Sequence, residues 1–174
     1  SWGTRVRFQT GSSSTNFLFA TFDSNSNKVV IAYSNASNSA YGAAIVGTVN
    51  GTSISFGSAT VFESSSVEDT SCVYDASSQK IVIAYVDSGN SNKGTVVVGT
   101  VSGTSISFGT PVYISGGSGV VVNIVSGISY DANAEKTIIA YQDDSDNGYG
   151  KVVSATVSGT SISFETPLVF ANNS

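Results

Sequence analysis

The chain has 174 residues, seven Lys plus Arg, twelve Asp plus Glu and a formal net charge of −5. It has no basic patch for phosphate and no apolar run of the ~20 residues a membrane span needs, which excludes nucleic-acid binding and a spanning helix. With no His and a single Cys, it also lacks the means for Ser-His-Asp or Cys-His catalysis, a His-bearing zinc site or an internal disulfide.

In chain order, the first element is Gly3-Thr-Arg-Val-Arg-Phe8 within residues 1–11. It reads as a degenerate, leftover copy of a strand that recurs further on. Three tandem repeats follow, at 16–62, 71–114 and 126–170. Gly51-Thr-Ser-Ile-Ser-Phe56 returns at Gly103 to Phe108 and at Gly159 to Phe164, steps of 52 and then 56 residues. Ile31-Ala-Tyr33 returns at Ile83 to Tyr85 and Ile139 to Tyr141 with the same steps. The extra residues of the second step fall around Ser115 to Ser126.

Each repeat predicts four short antiparallel strands, because Val, Ile, Thr, Tyr and Phe fill the runs and Asn, Asp, Ser and Gly separate them. In the first repeat these are Phe17 to Asp23, Lys28 to Tyr33, Gly42 to Val49, and one continuous strand from Thr52 to Phe62. The second strand is apolar nearly throughout and suits burial on both faces, while the fourth alternates Ile and Phe with Ser. Asn50-Gly51 is read as the two-residue hairpin pair. No segment has helical periodicity.

A four-stranded unit of this length is the size of one propeller blade. The Tyr-Asp, Lys-Ile-Val-Ile-Ala-Tyr and Val-Gly-Thr-Val-Ser-Gly-Thr-Ser-Ile-Ser-Phe-Gly-Thr-Pro segments with their copies give the chain its family likeness. It resembles the tandem-repeat β-propeller proteins, with kelch- or sialidase-like blades, at the level of architecture and over nearly its whole length. The Gly-Gly pair of kelch repeats and the Asp-box of sialidases are absent. The resemblance implies an all-β fold of propeller-like blades; a β-prism or a β-trefoil, which also use three four-stranded units, are the alternatives. Three blades do not close a ring. The expected partners are therefore further copies of the chain in a homo-oligomer or neighbouring repeats of a longer chain, with the leftover strand available to complete a sheet.

The loop between strands two and three is the most polar of each repeat. Asn35, Asn38 and Tyr41 in the first, Asp87, Asn90 and Asn92 in the second, and Asp143, Asn147 and Tyr149 in the third are the candidate ligand residues. Amides and carboxylates bond sugar hydroxyls and a Tyr ring stacks on a sugar face, so glycans are the expected ligand. The same residue types also favour turns. Asp143, Asp144 and Asp146 crowd one loop and are the candidate metal ligands, with calcium as the ion; otherwise no cofactor is expected. Asp23, Asp75 and Asp131 end the first strand of each repeat, where a carboxylate bonds backbone amides of the turn. Cys72 is expected as a small buried thiol. Glu63, Glu68 and Glu135 do not recur between repeats, which leaves a glycoside hydrolase fragment as the least favoured reading. Asn35, Asn50 and Asn172 fit the glycosylation pattern. Low charge and abundant Ser, Thr, Asn and Gly suit an extracellular, cell-surface or virion-surface protein. The expectation is a non-enzymatic structural or adhesive module, with a carbohydrate-binding lectin as the alternative.

Overall fold

The structure, a computed structural model, describes residues 3–8, 15–114, 120–122 and 127–172. Most of the expected insertion around 115–126 lies outside the described residues, as do residues 1, 2 and 9–11 of the leftover strand. The described residues are all-β, with antiparallel pairing, three short 3₁₀ turns and no α-helix.

The strands form meanders whose inner members follow the sequence pattern. The first comprises β1 (Thr15–Asp23), β2 (Lys28–Asn35), β3 (Tyr41–Asn50) and β4 (Ser53–Phe56), completed by the start of β5 (Thr60–Asp75). The second continues from the end of β5 into β6 (Lys80–Asp87), β7 (Lys93–Ser102), β8 (Ser105–Phe108) and β9 (Val112–Tyr113). The third comprises β10 (Gly127–Asp131), β11 (Lys136–Asp143), β12 (Tyr149–Ser158), β13 (Ser161–Phe164) and β14 (Leu168–Ala171). The register is the same in each: Val29 faces Gly47, Ile81 faces Gly99 and Thr137 faces Ala155.

Two expectations are corrected. The fourth strand is not continuous from Thr52 to Phe62 but broken into β4 and the start of β5, both lying along β3. The break sits at Gly57, where a Cβ would lie 1.9 Å from the carbonyl oxygen of Thr104 in the next meander. Glycine permits that close approach. Residues 63–70, between the first and second repeats, form the middle of β5, which pairs with β3 up to Ser66 and with β6 from Val67. The hairpin pair is Gly51-Thr52 rather than Asn50-Gly51, since Asn50 still pairs with Ser53 and Gly51 takes φ +60°. A glycine at the first loop position is the type II′ preference.

Because β5 is shared, the first two meanders form one nine-stranded sheet in the order β1-β2-β3-β5-β6-β7-β8, with β4 and β9 also on it. The third meander is a separate five-stranded sheet, and neither closes into a barrel. Residues 120–122 tie the two sheets together: Gly94 N–H donates to the Val120 carbonyl, and Asp144 N–H donates to the Val121 carbonyl.

The meanders stack face to face. Val30, Ala32, Ala44 and Val46 of the first pack on Ile81, Ile83, Tyr85, Val97 and Ile106 of the second. Val82, Ala84, Val96 and Val98, on the other face of the second, pack on Ile139, Tyr141, Val153 and Ile162 of the third. So β6 is buried on both faces, which accounts for its unbroken apolar run. Each interface joins a Val/Ala face to a Tyr/Ile face in the same direction along the chain. Burial of such side chains contributes about 1.5 to 3 kcal/mol each.

Candidate functional site

Each meander ends its second strand in the same polar corner. A 3₁₀ turn, at Ala36–Asn38, Ser88–Asn90 or Asp144–Asp146, is followed by a residue in the left-handed region: Ser39, Ser91 or Asn147. Turn chemistry explains part of the Asn and Asp content. Asn35 Oδ1 accepts from Ser37 N–H at 3.1 Å and Asp143 Oδ1 accepts from Ser145 N–H at 3.0 Å. The candidate residues thus form one corner per meander rather than one joint site.

The second corner opens into a cleft of about 520 Å³ lined by Glu63, Asp87, Asn90, Thr95, Val112 and Tyr113. Its polar groups are fixed in place. The Asp87 carboxylate accepts from Ser65 Oγ at 2.6 Å, the Glu63 carboxylate accepts from the Tyr85 hydroxyl at 3.0 Å, and Asn90 Nδ2 donates to the Tyr113 hydroxyl at 2.8 Å. Lys93 Nζ lies 4.9 Å from the centre of the Tyr113 ring. Burial, and then the Glu63 carboxylate, push the Tyr85 phenol far above its ordinary value, so it stays a neutral donor. A similar cleft of about 470 Å³ lies at the first corner, lined by Phe8, Tyr33, Asn35, Ser37 and Ile45.

The third corner is built differently, because Lys151 stands where Thr95 stands in the second. Its Nζ lies 2.8 Å from Asp143 Oδ2 and 2.7 Å from Asp146 Oδ2. The Ser145 hydroxyl also donates to Asp143. Burial alone would raise the Asp143 carboxyl, but the bonds from Lys151 and Ser145 outweigh it and hold the carboxyl below its ordinary value. The two carboxylates raise Lys151. Of the three candidate metal ligands, two therefore share an ammonium while Asp144 is exposed. Among the described residues no cluster of three or more His, Cys, Asp or Glu is arranged to hold a metal ion.

The remaining candidates are scattered. Tyr41 pairs with Asn35 and Tyr149 with Asp143 across the hairpin, while Asn38 and Asn92 are exposed and line neither cleft. Sequence reasoning missed Thr95 and Tyr113 and placed Glu63 only among the acids that do not recur. All three lie on strands, and Tyr113 and Glu63 reach the cleft from the outer edge of a meander. Tyr113 stands where the other copies have Val61 and Val169, so a comparison of the copies would have singled it out.

The turn carboxylates behave as expected, with one addition. Asp23 Oδ1 accepts from the amides of Asn25 at 2.9 Å and Ser26 at 3.0 Å, and Asp131 Oδ1 accepts from Asn133 at 2.9 Å. Asp75 also accepts from the Thr137 hydroxyl of the next meander at 2.9 Å. Cys72 is buried and free, its thiol 3.6 Å from the Phe19 carbonyl, and burial pushes it up to about 12. Comparison with protein-family models, with curated proteins and with solved structures finds no match.

Proposed function

We propose that the chain is a non-enzymatic structural or adhesive β-repeat module, built of propeller-like blades, whose work is to pack meander on meander beyond its own two internal junctions. One observation carries this reading: the outer faces of the stack are the two halves of the interface it already uses twice. At the tail, the positions that match Val30/Val82, Ala32/Ala84 and Ala44/Val96 are Ile138, Ala140 and Val152, all only half-buried where their counterparts are fully covered. Asp131 is exposed, whereas Asp23 and Asp75 are 3% and 1% exposed under the meander that follows them. At the head, Phe22 is 53% exposed where Tyr74 is half-covered. In repeat arrays, stability grows with each such neighbour interface. Sparse charge and a Ser-, Thr- and Asn-rich surface suit an extracellular, cell-surface or virion-surface setting.

The test is a tandem fusion of two copies in one chain. If packing between meanders extends across the junction, the fusion melts at a higher temperature than the single chain. An unchanged melting temperature sinks the reading.

A second reading is carried by the cleft at Glu63, Asp87, Asn90 and Tyr113. Its volume is that of a small-ligand site, and it joins carboxylate, amide and aromatic groups suited to a sugar. Glycan-array binding that disappears in Tyr113→Ala supports it; binding unaffected by that change, or no binding, removes it.

A further inference from the structure

Residues 3–8 lie along the first meander without pairing with any described strand. A Cβ on Gly3 would lie 1.9 Å from the Thr52 carbonyl oxygen, just as one on Gly57 would lie 1.9 Å from that of Thr104. Phe8 meets Tyr33 and Phe56 at ring-centre distances of 5.4 and 5.8 Å; Phe62 meets Tyr85 and Phe108 at 5.1 and 5.6 Å. Residues 3–8 thus sit on the first meander as residues 57–62 sit on the second. The difference lies on the other side. Thr60 and Val61 pair with Ala44 and Ala43 of β3, while no described strand pairs with 3–8. At the tail, the residues matching Ala44 and Ala43 are Val152 and Lys151 of β12, now paired with Leu168 and Val169 of β14.

We propose that a second copy of this chain docks head to tail, and that residues 3–8 of one copy replace β14 beside β12 of the other, setting Val6 opposite Val152. This rests on the packing reading above and names its partner. Both strands cannot hold the place at once, and β14 is the poorer occupant. Where Gly3, Gly57 and Gly109 stand, the tail has Glu165. Its Cβ would meet the Thr52 carbonyl of the incoming copy at the forbidden distance of about 2 Å seen for Gly57 and Gly109. β14 is also weakly held, with Leu168 68%, Val169 51% and Phe170 65% exposed. Strand addition to an available edge supplies the backbone bonds. The contact is heterologous, so copies continue head to tail until the arrangement closes.

The test joins Val6→Cys with Val152→Cys in the full chain. Partners in an antiparallel ladder have Cα atoms about 4.5 to 5.5 Å apart, within disulfide reach. The two positions lie at opposite ends of one stack, so the bond forms between molecules. Expected are disulfide-linked dimers or larger species under mild oxidation, with neither single variant cross-linking. A chain ending at Phe164 has lost the competing strand and should associate roughly tenfold more tightly on dilution, read by light scattering. Phe8→Ser should associate roughly tenfold more weakly. No cross-link in the double variant, or weaker association of the chain ending at Phe164, overturns the exchange. If the tandem fusion gains stability while separate copies stay at 17.8 kDa, the second-copy proposal fails and the packing reading stands.

Discussion

Lys151 Nζ bonds Asp143 Oδ2 at 2.8 Å, and Asp143 is 2% exposed. The pair closes the third corner from within the chain, whereas Thr95 leaves the second corner open. Because the folded state holds the Asp143 carboxyl below its ordinary value, its contribution to stability is present above about pH 4 and lost as pH falls through that value toward the folded one. Wild type should therefore melt above Asp143→Asn by a constant margin from pH 7 to 5, and the margin should close toward pH 3. Thermal melts across that range check it. Lys151, raised in the folded state, keeps its charge throughout and does not contribute to the change.

Asp75 and Asp131 occupy the same turn position, but only Asp75 also receives a bond from the next meander, from Thr137. Asp75→Ala leaves that buried hydroxyl without its acceptor and should cost about 1 to 3 kcal/mol. Asp131→Ala should cost clearly less. Urea unfolding of the two variants measures the difference, and equal losses would assign the whole effect to the turn.

Gly42 lies beneath the Phe62 ring, where a Cβ would come within 2.3 Å of Cε2. Gly42→Ala must therefore push Phe62 away from Tyr85 and should destabilise by about 1 to 3 kcal/mol. Chemical denaturation tests this, and restoration of stability by the companion change Phe62→Leu would trace the loss to the ring.

Cys72 should react with an alkylating reagent at pH 8 far more slowly in the folded chain than in urea. Its thiol is buried and pushed up to about 12, so almost none of it is thiolate. Mass spectrometry over time reads the two rates, and rapid labelling of the folded chain would contradict the burial.

The strand pattern was legible because the residues that make it repeat: Ile31-Ala-Tyr33 and its copies announce a doubly buried strand, and β6 is one. The break at Gly57 was not legible. It sits where the Thr104 carbonyl of the following meander, distant in sequence, leaves no room for a side chain. The same holds for the sites. The polar corners could be read from their Asn and Asp content, yet Glu63 and Tyr113 complete the second one from an outer strand whose local pattern marks it only as structural. Lys151 was visible as a residue but not as a partner, because its copies are Ala43 and Thr95 and carry no charge.

β5 runs unbroken for 16 residues, bonded to β3 along its first part and to β6 along its second. Among the described residues the second and third meanders share no strand; bridges at Val121 and Val122, buried side-chain packing and the Asp75–Thr137 bond join them. Under tension along the chain, these two joints differ. Pulling the first two meanders apart loads the backbone ladder of β5, whereas the described joint between the second and third rests mainly on buried side-chain packing.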